Sequence, residues 1–192
     1  MRRRSFLKTV ASAVPAAGMR NFLVTQALAQ APSSPPASAL HIVGDGEDYS
    51  KHPHSLGFSS ILFKVPTRDT NGGLFVMEHT HLLPGGPALH LHYSQEEWFY
   101  LMEGQVVFQV GDQRLQLHPG ESVLAPRRVP HTFSSVGEKP SRLLIAFCPA
   151  GKMEQYFRDA ELAPEHAGDA DFMSRYEMER VGPSPFWKPH TS

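Results

Sequence analysis

From about residue 57 the chain is built of short apolar runs separated by turn residues. Ser60–Val65, Leu74–Thr80, Trp98–Met102, Val106–Val110, Arg114–Leu117, Ser122–Ala125, Thr132–Val136 and Arg142–Cys148 each have the length and composition of a strand. Asn71-Gly72-Gly73, Pro84-Gly85-Gly86, Glu103-Gly104, Gly111-Asp112 and Pro119-Gly120 punctuate them. Strands and turns at this spacing predict an antiparallel sandwich or barrel. No helical period interrupts residues 57–150, which argues against a parallel α/β sheet. Beyond residue 150 the pattern changes. Met153, Tyr156, Phe157 and Ala160 recur at helical spacing, predicting one amphipathic helix near 152–162 and room for a second near 168–178. The stretch Gly182-Pro183-Ser184-Pro185-Phe186-Trp187 is read as irregular. The fold class is therefore all-β with short C-terminal helices.

Alternation within the strands sorts the chemistry. Residues two apart in a strand face the same way, so His90 and His92 project to one side. Glu97 opens the next strand, sharing a face with Phe99 and Leu101 while Trp98, Tyr100 and Met102 take the other. A hairpin over these residues aims two imidazoles and a carboxylate at one point, the makings of a metal site. Spacing and phase favour Glu97 over Glu96 as that carboxylate; Glu96 then points outward or serves as a nearby base. A fourth donor, His131, follows a strand and is flanked by Pro126 and Pro130, which restrict the backbone leading to it. Trp98, Tyr100 and Met102 make the opposite face apolar too, so it needs a cover from the N-terminal segment, the C-terminal helices or a second subunit. We favour a homodimer.

Composition narrows the classes. The chain has 192 residues, 41% hydrophobic and 19% charged, which suits one folded domain. Its formal net charge of -1 offers no basic field for nucleic acid or an anionic membrane. A single cysteine, Cys148, excludes an internal disulfide framework and a cysteine-rich zinc site. Histidine is unusually frequent, with 11 copies. Residues 1–29 carry Arg2, Arg3, Arg4, Lys8 and Arg20 and no acid. Arg3-Arg4-Ser5-Phe6-Leu7-Lys8 resembles the twin-arginine export signal, and Ala27-Leu28-Ala29 supplies small residues for cleavage. The expectation is a signal peptide over 1–29, a linker and N-terminal segment over 30–56, a barrel over 57–150 and a helical tail over 151–192. The processed, more acidic protein is expected in the periplasm, outside any membrane.

The spacing His90-x-His92-x4-Glu97-x6-Gly104, followed by Gly120-x5-Pro126-x4-His131, resembles the two motifs of the cupin superfamily. The resemblance covers about residues 57–150. Pro84 stands where the first motif has its leading glycine, with Gly85 and Gly86 just after. Arg128 and Ser135 replace the second motif's later glycine and asparagine. The resemblance implies a jelly-roll β-barrel holding one divalent metal ion (Fe, Mn, Ni, Cu or Zn) on His90, His92, Glu97 and His131. Four protein ligands leave positions open on a six-coordinate ion. Similarity to single-domain, quercetin 2,3-dioxygenase-like members implies an oxygenase acting on a small aromatic or enolic molecule, with Glu97 also taking the substrate hydroxyl proton. The alternatives are a non-catalytic periplasmic module binding a small molecule or metal, and a metal-dependent isomerase or lyase.

Other positions carry weaker expectations. His79 and His81 share a phase, so one of them can reach the pocket; a solvated strand end is the competing reading. Phe99, Leu101 and Phe133 are either pocket wall or core. Arg127-Arg128 either meets an anionic group or is a solvated pair. Cys148 is expected to be a buried, inert thiol. His41, His52, His54, His118, His166 and His190 are expected on the surface.

Overall fold

The structure is a computed structural model, and it describes residues 42–186. The expected export signal over 1–29, the stretch 30–41 with His41, and Trp187 and His190 lie outside the described residues. Among the described residues, eleven strands form two antiparallel sheets. In chain order they are β1 (His54–Ser55), β2 (Ser60–Val65), β3 (Phe75–Leu82), β4 (Leu89–His92), β5 (Glu96–Glu103), β6 (Val106–Val110), β7 (Gln113–Leu117), β8 (Ser122–Ala125), β9 (His131–Ser135), β10 (Ser141–Cys148) and β11 (Met178–Gly182). Two helices, α1 (Met153–Leu162) and α2 (Ala170–Ser174), lie between β10 and β11. One sheet has the order β1-β2-β3-β10-β5-β8 and the other β11-β4-β9-β6-β7. This is the expected jelly roll.

The core lies where the inner faces of the sheets meet. Ile61, Phe63, Phe75, Met77, Phe99, Leu101, Ile145 and Phe147 come from the larger sheet, and Val106, Phe108, Leu117, Phe133 and Met178 from the smaller. All are nearly inaccessible to water, so area burial here is the main source of stability. Strand β5 follows the predicted alternation: Glu97, Phe99 and Leu101 are buried, while Trp98, Tyr100 and Met102 are half-buried on the outer face.

Several expectations need correction. The pair β4–β5 is not a hairpin. Strand β4 bonds to β11 and β9, whereas β5 bonds to β10 and β8, so the chain crosses from one sheet to the other between His92 and Glu96. Residues 178–182, read partly as helix and partly as irregular, form the edge strand β11 beside β4. Helix α2 is correspondingly short. Cys148 is exposed, because it ends the outward-facing phase of β10. His54 is buried at 4% exposure, stacked on Phe63 at 4.1 Å between ring centroids. His79 and His81 do not share a face in the fold. Leu143 pairs with His79 and Ser141 with Leu82, so β3 spends an extra residue there; the bulge leaves His79 buried and turns His81 to solvent.

The helices do not cover the Trp98–Tyr100 face. Met153, Tyr156 and Phe157 of α1 and Met173 of α2 instead pack at the end of the inter-sheet space, with Phe157 against Phe75 and Phe147. They wall a cavity rather than back a sheet.

Candidate metal centre

The two sheets supply opposite halves of the site. His90 and His131 are direct cross-strand partners on β4 and β9, and His92 sits two residues beyond His90 on the same face. Their ring centroids lie 4.6–5.4 Å apart. Glu97 reaches across from β5. Its Oε2 lies 3.1 Å from His92 Nε2 and 2.8 Å from His131 Nε2. All four side chains are buried, and their ligand atoms lie within 4.8 Å of one another. Every residue of the expected ligand set therefore converges on one point.

The loops that deliver them are held by backbone contacts. Gly86 has φ +69°, and a Cβ there would lie 1.7 Å from the Phe133 carbonyl oxygen, so only glycine lets this loop cross β9. Pro84 at the expected glycine position thus has its role taken by Gly86, two residues on. Arg128, at the position of the second motif's missing glycine, keeps the left-handed backbone with φ 64° and donates its N–H to the His92 carbonyl at 2.7 Å. The left-handed turn survives despite the side chain, at a conformational cost of roughly 1–2 kcal/mol.

Proton accounting shows what the cluster needs. His90 donates Nδ1–H to the Ala88 carbonyl, and His131 donates Nδ1–H to the Val129 carbonyl, each at 2.9 Å. A neutral imidazole has one N–H. The Nε2 of His131 is then a bare lone pair facing a carboxylate oxygen at 2.8 Å, which repels unless a proton or metal cation lies between them. His92 Nδ1 is buried with no partner, so its ring also lacks a complete hydrogen-bonding solution. Donors sharing one octahedral ion with bonds of about 2.1 Å lie about 3 Å apart, close to the observed separations. Burial, then the neighbouring His131 and His92, push His90 down to about 3, so it is neutral at ordinary pH. Burial pushes the Glu97 carboxyl up, but its contacts with His131 and His92 outweigh that and hold it well below the usual range. Neutral imidazoles and an ionised carboxylate fit a divalent ion.

The cluster opens onto a cavity of about 250 Å³. His90, His92 and Glu97 form one end, with Phe133, Ile145, Phe147, Met153, Tyr156 and Met173 among its apolar walls. Phe99 and Leu101 are core, whereas Phe133 is wall. His79 also lines it. The Ser59 hydroxyl donates to the Ser60 carbonyl and accepts Nδ1–H from His79 at 2.6 Å, leaving Nε2 as the ring's acceptor. Burial lowers His79 to about 4, against the opposing pull of Glu97, so it is uncharged at neutral pH. The Tyr156 hydroxyl donates to Ala167 at 3.0 Å, and burial raises its pKa strongly. Sequence reasoning missed Met153, Tyr156 and Met173 as cavity residues; the helical period that marked the first two as buried carried no sign of what they would face. Glu96 and Arg127 pair with each other in a two-pronged contact at the surface, which answers both expectations with a structural ion pair.

Known proteins resemble this chain in sequence and in fold. Residues 78–147 match the family model described as "Cupin domain". An uncharacterized protein of Methanocaldococcus jannaschii is 28% identical over 61 residues, covering 32% of this chain and 49% of that protein. The tetracenomycin polyketide synthase protein TcmJ of Streptomyces glaucescens is 29% identical over 91 residues, covering 46% of this chain and 61% of that protein. The chain thus spans only about half to three-fifths of the curated relatives it matches. The solved structure of an RmlC-like cupin from Shewanella frigidimarina superposes with a TM-score of 0.50 at 18% identity, covering 60% of this chain and 96% of that one. Residues 78–147 thus match a cupin domain, and the two-sheet fold is the one seen in that solved RmlC-like cupin.

Proposed function

We propose that the protein is an exported metal-dependent enzyme, dioxygenase-like, acting on a small aromatic or enolic molecule. The observation that carries this reading is the buried cluster of three histidines and Glu97 opening onto a mostly apolar cavity. His90, His92, Glu97 and His131 would hold the ion. A divalent ion there would supply Lewis-acid polarisation of an enol or phenol oxygen and, if redox-active, electron transfer with dioxygen. The chain's own residues do the rest. Phe133, Phe147 and Met173 bind the apolar body of the substrate by area burial. Glu97 accepts the substrate hydroxyl proton, and His79 Nε2 accepts a hydrogen bond from a second hydroxyl. Helices α1 and α2 keep bulk water from the reacting end. The volume, about 250 Å³, limits the buried part of the substrate to a small molecule. Similarity to a tetracenomycin polyketide synthase protein supports a phenolic or enolic substrate.

The same ligand set supports a second reading, in which the ion acts only as a Lewis acid in an isomerase or lyase. Oxygen uptake separates them. Protein loaded with Fe, Mn, Ni or Cu is mixed with flavonols, catechols and β-diketones. Dioxygen consumed in step with substrate supports the oxygenase. Turnover without oxygen uptake favours the isomerase or lyase, and tight binding without turnover favours a binding module. Export is tested by locating the chain in cell fractions after Arg3 and Arg4 are both replaced by Lys. A homodimer across the Trp98–Tyr100 face belongs to the same reading and is tested by the sedimentation mass.

A further inference from the structure

Of the chain's three His-x-His pairs, His52-Pro53-His54 lies outside the barrel site. His52 and His54 flank Pro53, and a residue before proline is driven to extended backbone, which puts both rings on one side. Their centroids are 5.4 Å apart at 78°, nearly the arrangement of His90 and His92 at 5.1 Å and 74°. A carboxylate completes this pair too. Glu161 Oε2, from the last turn of α1, lies 2.6 Å from His54 Nδ1, and the ligand atoms of His52, His54 and Glu161 fall within 4.8 Å of one another.

Three observations point to a cation. His54 Nε2 is buried with no hydrogen-bond partner, and the oxygen facing it is Asp48 Oδ2 at 3.9 Å. Asp48 is nearly inaccessible and already accepts the Phe63 backbone N–H and the Ser50 N–H and hydroxyl, so its carboxylate is held in place. At 3.9 Å the Asp48 oxygen is beyond hydrogen-bond reach, yet it is the polar group facing Nε2 and favours the tautomer with hydrogen there. Nδ1 is then a lone pair aimed at the Glu161 carboxylate, the same conflict seen at His131. The third observation is the helix itself. Glu161 puts a negative charge at the negative end of the α1 dipole, and the last turn has no basic residue to offset it.

We propose that His52, His54 and Glu161 form a second divalent-cation site for a nitrogen-preferring ion such as Zn²⁺. The ion ties the edge strand β1 to the C-terminal end of α1, the helix whose Met153, Tyr156 and Phe157 wall the cavity. Two imidazoles and one carboxylate leave solvent-filled positions, and His52 and Glu161 give access from water. The competing explanation is a direct His54–Glu161 hydrogen bond alone, with His52 uninvolved.

The test is Zn²⁺ titration of the full chain by calorimetry, comparing wild type with His52→Ala and Glu161→Gln. His52 is exposed, so its removal leaves the fold intact. Each variant should bind one Zn²⁺ fewer per chain than wild type, or bind it with affinity lower by on the order of tenfold or more. The rise in unfolding temperature that Zn²⁺ gives should shrink in both. Because the readout is a difference between chains, it holds whatever the barrel site binds. Zn²⁺ stoichiometry and affinity unchanged in both variants would overturn the proposal, as would wild type whose total uptake is abolished by His90→Ala alone.

Discussion

Two of the protein's three His-x-His pairs have nearly the same ring geometry in different surroundings. His90 and His92 lie between two sheets, receive Glu97 and His131 from other strands, and face a cavity. His52 and His54 lie on the edge of one sheet, receive Glu161 from a helix, and are half open to water. In each pair one histidine is packed on a phenylalanine: His92 against Phe147 and His54 against Phe63. The difference teaches what the pairs can do. A ligand set closed by strands on both sides and opened to an apolar cavity can present an ion to a substrate. A set at an edge, reaching from β1 to α1 and open to water, is placed to tie two elements together.

The comparison is broken most severely by Glu97→Ala. It removes the carboxylate that the three imidazoles share, and affinity for the divalent ion should fall by about 10³-fold or more, about 4 kcal/mol, measured by metal content after dialysis. His52→Ala should leave that tight site untouched. A comparable loss in both variants would mean the pairs are not independent.

The buried histidine that belongs to neither ligand set sharpens the contrast. His79 has a hydroxyl for a partner, not a carboxylate, and is held neutral with its pKa lowered from 6.5 to about 4. Above pH 6.5 it takes no proton in either state. As pH falls from 6.5 to 4 the unfolded chain binds a proton there that the folded chain refuses, so stability drops, by on the order of 3 kcal/mol in all. Unfolding temperatures across that range should fall less steeply for His79→Gln than for wild type. Parallel slopes would remove His79 as a neutral acceptor in the cavity. The smallest effect is expected at the turn leading to His131. Arg128→Gly relieves a left-handed residue and should change stability by no more than about 1 kcal/mol in the stabilising direction, read from chemical denaturation. A large loss would show that the side chain itself supports the loop.

Much of the barrel site was legible because its signals are local. Alternation put Glu97 inward with Phe99 and Leu101, and the two-residue spacing put His90 beside His92. What was not legible depends on non-local pairing. That β4 and β5 belong to different sheets follows from their partners β9, β11, β10 and β8, which are tens of residues away. The turn of His81 to solvent depends on a bulge set by β10. The burial of His54 depends on α1 docking more than 100 residues later in the chain, so a proline-flanked histidine near the start of the described chain gave no sign of it. Cys148 misled because its neighbours in β10 are apolar on both faces, although the outer face carries no helix at its end.

The central claim is that the four residues at the meeting of the sheets hold one catalytic divalent ion. Its most direct test is metal content of the purified full chain after growth with Fe, Mn, Ni, Cu and Zn, set against the His90→Ala, His131→Ala double variant. Wild type should retain one ion per chain that the double variant loses, together with all turnover. A double variant that keeps the same ion at the same stoichiometry, or a wild type that takes up none at this site, would contradict the account.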